Sequence, residues 1–145
     1  MRIPLKEILL VVLLCCARDV HAQVTVIAHQ DVPVESISKD LLLDFYTRDK
    51  LSWPSSRMEV VVSDLWLKSP VKDSFYEYLG KSSSRMRSIW LKRKLAGEGD
   101  PPVFFQTEEE MLKHVTNTPG AIGFVHPSKV TDSVKVLIEI DHGDG

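Results

Sequence analysis

The chain has 145 residues, 43% of them hydrophobic and 26% charged, with 18 Lys and Arg against 20 Asp and Glu. That length fits one domain behind a leader, large enough to bury a core without covalent staples. A formal net charge of −2 excludes the basic footprint of a nucleic-acid binder.

The first residues read as a targeting signal. Arg2 and Lys6 flank the start of an apolar run over 8–17, which is too short for the roughly 30 Å of a bilayer core. Val20-His21-Ala22 places Val and Ala at the −3 and −1 positions of a cleavage site. A secretory signal peptide over 1–22, cut after Ala22, is expected. A retained anchor and a lipoprotein signal at Cys15 or Cys16 are the lesser alternatives; Leu14 is bulky for the residue before a lipidated cysteine. Cleavage would leave an exported domain over 23–141 and a flexible tail over 142–145. Both cysteines leave with the signal, so packing alone must stabilise the domain in an oxidising compartment. No later apolar run is long enough for an integral membrane segment.

Val24–Ala28 is β-branched and apolar and reads as a buried strand. Ser38 can cap a helix over 39–47, with Asp40 in its first turn and Leu41, Leu42, Phe45 and Tyr46 on its apolar face. A polar loop over 48–57 surrounds Trp53-Pro54, with Trp53 packing back on the core. A second buried strand is expected over 58–62. Ser69 is a good N-cap, Pro70 suits the first helical position, and Gly80 stops that helix after Leu79. Ser82-Ser83-Ser84 opens a third helix to about Leu95, with Met86, Ile89 and Trp90 inward.

A loop over 97–102 leads to a short strand, Val103-Phe104-Phe105. Thr107-Glu108-Glu109-Glu110 is a capping box for a helix to about Val115. Pro119-Gly120 suits a type II turn, with φ > 0 at the glycine. The chain then enters Ala121–Val125, a buried strand. Gly123 weakens it and suggests close approach of another backbone or of a ligand. Residues 134–140 alternate as a last, edge strand. Strands alternating with helices argue for an α/β domain, a mixed sheet with helices on both faces.

The best site candidate is the helix start at Ser69. Backbone N–H groups of Val71 and Lys72 would point outward with the positive end of the helix dipole, and Ser69 Oγ and the exposed Lys72 would add contacts to an anion. Leu65-Trp66-Leu67 stands just before it, either as core packing or as an exposed patch for a partner protein. Lys81, Arg85, Arg87, Lys92, Arg93 and Lys94 cluster on and near one helix. They form a solvated face or a contact with anionic headgroups or an acidic partner. His29, His114, His126 and His142 lack metal-ligand spacing, no nucleophile elbow is present, and Glu108-Glu109-Glu110 is a helix start. No metal, no cofactor and no enzymatic activity are expected.

Four stretches carry a resemblance. Residues 117–125, Asn-Thr-Pro-Gly-Ala-Ile-Gly-Phe-Val, resemble the TPGAIGYV box of phosphate-type periplasmic solute-binding proteins. Leu41 to Tyr46 followed by Trp53-Pro54 is similar to that family's helix and tryptophan turn. Ser69 to Tyr76 is similar to its anion-loop helix, and Gly97-Glu98-Gly99 with Pro101-Pro102 to its glycine loop. The four occur in the family's order, and the likeness is to a short stand-alone branch about one lobe in size.

The resemblance implies a lobe of the type 2 periplasmic binding protein fold, with ligand at helix N-termini. Ser69 matches the serine of the family's Ser-Gly-Thr loop, while Pro70 and Val71 replace its glycine and threonine. Leu65 and Leu67 stand where the family has Arg and Asp, and Lys72 where short relatives carry Arg. The implied function is a non-enzymatic, ABC transporter-associated binding domain for a small anion such as phosphate, serving an inner-membrane transporter or sensor protein. The alternative is a ligand-free periplasmic interaction module for a membrane receptor, sensor or envelope complex.

Overall fold

A computed structural model describes residues 22–141 together with Pro4. The rest of the expected signal peptide, Cys15, Cys16 and the 142–145 tail lie outside the described residues.

Five strands form one sheet in the order β3-β2-β4-β1-β5. They are β1 (Val24–Ala28), β2 (Val61–Leu65), β3 (Val103–Phe105), β4 (Ala121–Val125) and β5 (Lys135–Ile140). β2 pairs parallel with β3 and β4, whereas β1 pairs antiparallel with β4 and β5. β1 therefore runs against the other four, and the sheet is mixed. The helices are α1 (Lys39–Tyr46), α2 (Pro70–Leu79), α3 (Ser83–Leu95) and α4 (Glu108–Asn117), with a single 3-10 turn at Pro127–Lys129.

Each helix starts where a hydroxyl satisfies an orphan N–H. The side chains of Ser38, Ser69, Ser82 and Thr107 accept from Leu41, Lys72, Arg85 and Glu110 N–H at 3.2, 3.2, 3.1 and 3.1 Å. Glu110 reaches back one residue further than an ideal capping box, to Gln106 N–H at 3.0 Å. α2 stops at Gly80, in the left-handed conformation at φ +73°.

β4 is the centre of the molecule, and its five residues are buried. Successive side chains of a strand leave on opposite faces. Phe124 faces α1 and α2, where the Phe75 ring stacks on it at 4.0 Å and Tyr46 meets Phe75 edge-on at 4.8 Å. Gly123 faces α4, where a Cβ would lie 2.8 Å from Met111 Sδ. Helices thus cover both faces, as the alternating pattern predicts. The close approach expected at Gly123 is real, but it is neither a backbone nor a ligand. Met111, with Val115 one turn on, fills the space a side chain would take.

Trp53 is buried, as expected, with its ring edge-on to Phe45 at 5.0 Å and its Nε1 donating to Gly120 O at 3.0 Å. The tryptophan turn and the Pro119-Gly120 turn are therefore one joint.

One strand differs from expectation. β2 begins three residues later than 58–62 predicts. Met58 O accepts Trp53 N–H at 2.9 Å, Glu59 bridges Ser52, and Val60 N–H donates to Leu51 O at 2.9 Å. The 51–53 loop claims those groups, and the ladder with β3 and β4 runs on through the polar Ser63 and Asp64, both buried. The described core is built wholly from residues between Val24 and Ile140, with Ala22 packed at its margin. Residues 22–141 carry a hydrophobic core that covers both faces of the sheet.

Candidate functional site: a cationic cleft between two helix starts

β2 delivers Asp64 and Leu65 to the sheet's end, beside the first turns of α2. Asp64 is buried among donors. Tyr76 Oη donates to its Oδ2 at 2.7 Å, and Leu65 N–H to its Oδ1 at 2.7 Å. Lys72 Nζ lies 2.5 Å from Leu65 O and 3.5 Å from Asp64 Oδ2. Burial pushes the Asp64 carboxyl above its usual range, against the pull of the Tyr76 hydroxyl and the Lys72 ammonium. Burial and the neighbouring Asp64 also raise the Tyr76 phenol well above its ordinary value. The knot joins the end of β2 to the first two turns of α2.

This placement corrects two expectations. Lys72 is not an exposed charge, since only 7% of it meets solvent and its ammonium is turned inward. Nor do both early N–H groups of α2 point free, because Lys72 N–H is spent on Ser69 Oγ. The Val71 side chain is in the core.

A cleft of about 320 Å³ opens beside the knot, lined by Trp66, Lys68, Lys72, Asp73, Ser83, Ser84 and Arg87. Of the three predicted site residues, the structure brings Lys72 to this wall, while Ser69 and Val71 do not line it. Ser83 and Ser84 hold the first two positions of α3, where backbone N–H groups lack intrahelical acceptors. Arg87, one turn on, donates to Ser84 Oγ at 3.4 Å. Lys68 and Arg87 outnumber the lining carboxylate Asp73, while the Lys72 ammonium is paired with Asp64 behind the wall, so the cleft keeps a small cationic excess that favours an anion. The Ser82-Ser83-Ser84 run and Arg87 were visible in the sequence, but as a helix start and a solvated face. Only tertiary packing sets them opposite α2.

The Leu65-Trp66-Leu67 stretch divides: Leu65 is buried in the core, whereas Trp66 and Leu67 are 59% and 63% exposed and form a surface patch. Trp66 stacks on Phe104 at 4.4 Å, and Phe104 meets the buried Trp90 edge-on at 5.8 Å. Among the described residues, no three His, Cys, Asp or Glu side chains come together as a metal would require, and no helix is long and apolar enough to cross a membrane.

The fold matches solved phosphate-binding receptors. An ABC-type phosphate transport receptor from Vibrio cholerae superposes with a TM-score of 0.64 at 18% identity, over 80% of this chain and 46% of that one. A phosphate ABC transporter substrate-binding protein with bound phosphate, from Clostridium perfringens, gives 0.66 at 21%, over 80% and 45%. PstS from Borrelia burgdorferi gives 0.55 at 12%, over 80% and 47%. The chain thus has the fold of part of a phosphate-type periplasmic binding protein and spans a little under half the length of these proteins. No family profile matches the chain. No curated protein matches it in sequence.

Proposed function

We propose that this chain is an exported, non-enzymatic binding domain that takes a small anion such as phosphate in the cleft between α2 and α3. The carrying observation is the convergence of Lys68, Lys72, Arg87 and the Ser83-Ser84 helix start on one cavity. Helix N-termini and a planar guanidinium suit tetrahedral oxyanions. Lys72, held by Asp64 and Leu65 O, fixes the α2 wall of the cleft, and Ser69 caps the start of α2. The fold shared with phosphate-binding receptors supports the class of ligand. In this reading the domain works in the periplasm beside an inner-membrane transporter or sensor.

Calorimetric titration with phosphate, sulfate and small carboxylates tests it. Arg87→Ala should weaken phosphate about tenfold, the loss expected for a charge-assisted contact, with the melting temperature unchanged. Binding that Arg87→Ala leaves intact would move the site elsewhere, and absence of binding at millimolar phosphate would end the reading.

One observation favours the alternative of a ligand-free interaction module. Trp66 stands exposed on the wall of the cleft with Leu67 exposed beside it in sequence, and an aromatic anchor of this kind is typical of protein contact sites. Trp66→Ala abolishing capture by an envelope partner, with no anion bound by the parent, would establish that module.

A further inference from the structure

We propose that the outward face of α3 docks on an anionic phospholipid surface. The helix holds five of the chain's 18 Lys and Arg and none of its 20 Asp and Glu, so it is strongly cationic within an acidic protein. Met86 and Trp90 turn into the core. On the opposite side Leu91 and Leu95, four residues apart and so on one face, are 60% and 79% exposed. Helical spacing places Lys92 and Arg85 along one flank of this pair and Arg87 and Lys94 along the other. Of the helix's cations, Arg93 is held in ion pairs, with Asp49 and with Glu98, the latter at 3.1 Å, and Arg87 donates to Ser84 Oγ at 3.4 Å.

Two bare leucines between rows of cations suit a lipid interface. The side chains can dip below the headgroups while long Lys and Arg stems carry their charges up to the phosphates. The same face suits a protein poorly, because the centre of a protein interface is depleted of charge, whereas here cations crowd against both leucines. Each cation near an anionic bilayer raises partitioning about fivefold. The surface meets the cleft at Arg87, which is therefore left out of the test variants.

The chain from Ala22 onward, lacking the apolar leader, is sedimented with phosphatidylglycerol and with phosphatidylcholine vesicles. Binding to the anionic vesicles alone is expected, fading as salt screens the charges. Lys92→Glu with Lys94→Glu should cut it at least ~25-fold, and Leu91→Ser with Leu95→Ser roughly tenfold. All four residues are exposed, so melting temperatures should match the parent. Should a variant unfold, the lipid preference and salt dependence of the parent still carry the test. Excess inorganic phosphate at constant ionic strength should leave binding in place. If it abolishes binding, headgroups enter the cleft and the proposal fails. It also fails if the parent ignores phosphatidylglycerol at low salt, or if the folded variants bind as well as the parent. Binding to soluble polyglutamate without binding to vesicles would assign the face to an acidic protein instead.

Discussion

Gly120 has two independent reasons to be glycine. Its φ of +81° is the left-handed value the second corner of a type II turn requires, and the turn closes with Ala121 N–H on Thr118 O at 3.1 Å. A Cβ there would also stand 2.2 Å from Glu59 O, a backbone atom that cannot rotate away. Gly120→Ala therefore meets strain and collision together and should lower stability by on the order of 2–5 kcal/mol. Its carbonyl receives both Trp53 Nε1 and Val61 N–H, so the Trp53 emission should shift as the joint loosens. A urea midpoint equal to that of the parent would contradict this account. His114 is a second informative residue. Burial lowers its imidazole below the ordinary 6.5, and its Nε2 is buried without a partner. A depressed histidine binds fewer protons folded than unfolded, so its contribution is present above the unfolded value and is lost as pH falls through the folded one. The parent should lose stability relative to His114→Leu as pH drops below about 6.5. A parent-to-variant difference that stays flat between pH 7 and 5 would show that the ring titrates normally.

The joint between β2 and α2 belongs to the scale of elements. The side chains of Lys72 and Asp64 are 9% and 1% exposed. Removing one member of such a buried pair leaves the other charge uncompensated, a cost of about 3–5 kcal/mol. Lys72→Ala should therefore destabilise the domain by that order, whereas an exposed lysine at this place would cost almost nothing. Asp64→Asn combined with Lys72→Met should recover part of the loss, since the pair is then removed together. Chemical denaturation of the single and double variants reads both, and full additivity would mean that the two groups do not interact. The contrast between helices and β2 marks what the sequence exposes. Helix starts were legible because one hydroxyl and the following turn decide them, as at Ser38, Ser69, Ser82 and Thr107. Gly80 and Pro119-Gly120 were legible because their backbone angles are nearly forced. The start of β2 was not, because residues 58–60 look like strand and bond instead with the loop over 51–53. The inward turn of Lys72 was hidden for the same reason. Its partners are Asp64 and Leu65 O, and only the packing of α2 on β2 brings them within reach.

At the scale of the whole molecule, the chain spans 45–47% of the length of the phosphate receptors it superposes on. Taken by itself, the lobe described by residues 22–141 presents its cleft to an anion from one side. Two or three charge-assisted contacts, each contributing about 1.5–3 kcal/mol, are then offset by immobilisation and by competing hydration. If roughly 4 kcal/mol survives, the phosphate Kd is on the order of a millimolar. An open site is also screened, so affinity should fall several-fold between low salt and about 0.5 M. Titration at two ionic strengths, paired with sedimentation of the same samples, checks the argument. Binding near a micromolar at one phosphate per two chains would mean that a second copy closes over the cleft and supplies the missing side. Micromolar binding by a monomer, insensitive to salt, would show that Lys68, Lys72, Arg87 and the α3 start enclose the anion by themselves. The open-lobe account would then be wrong.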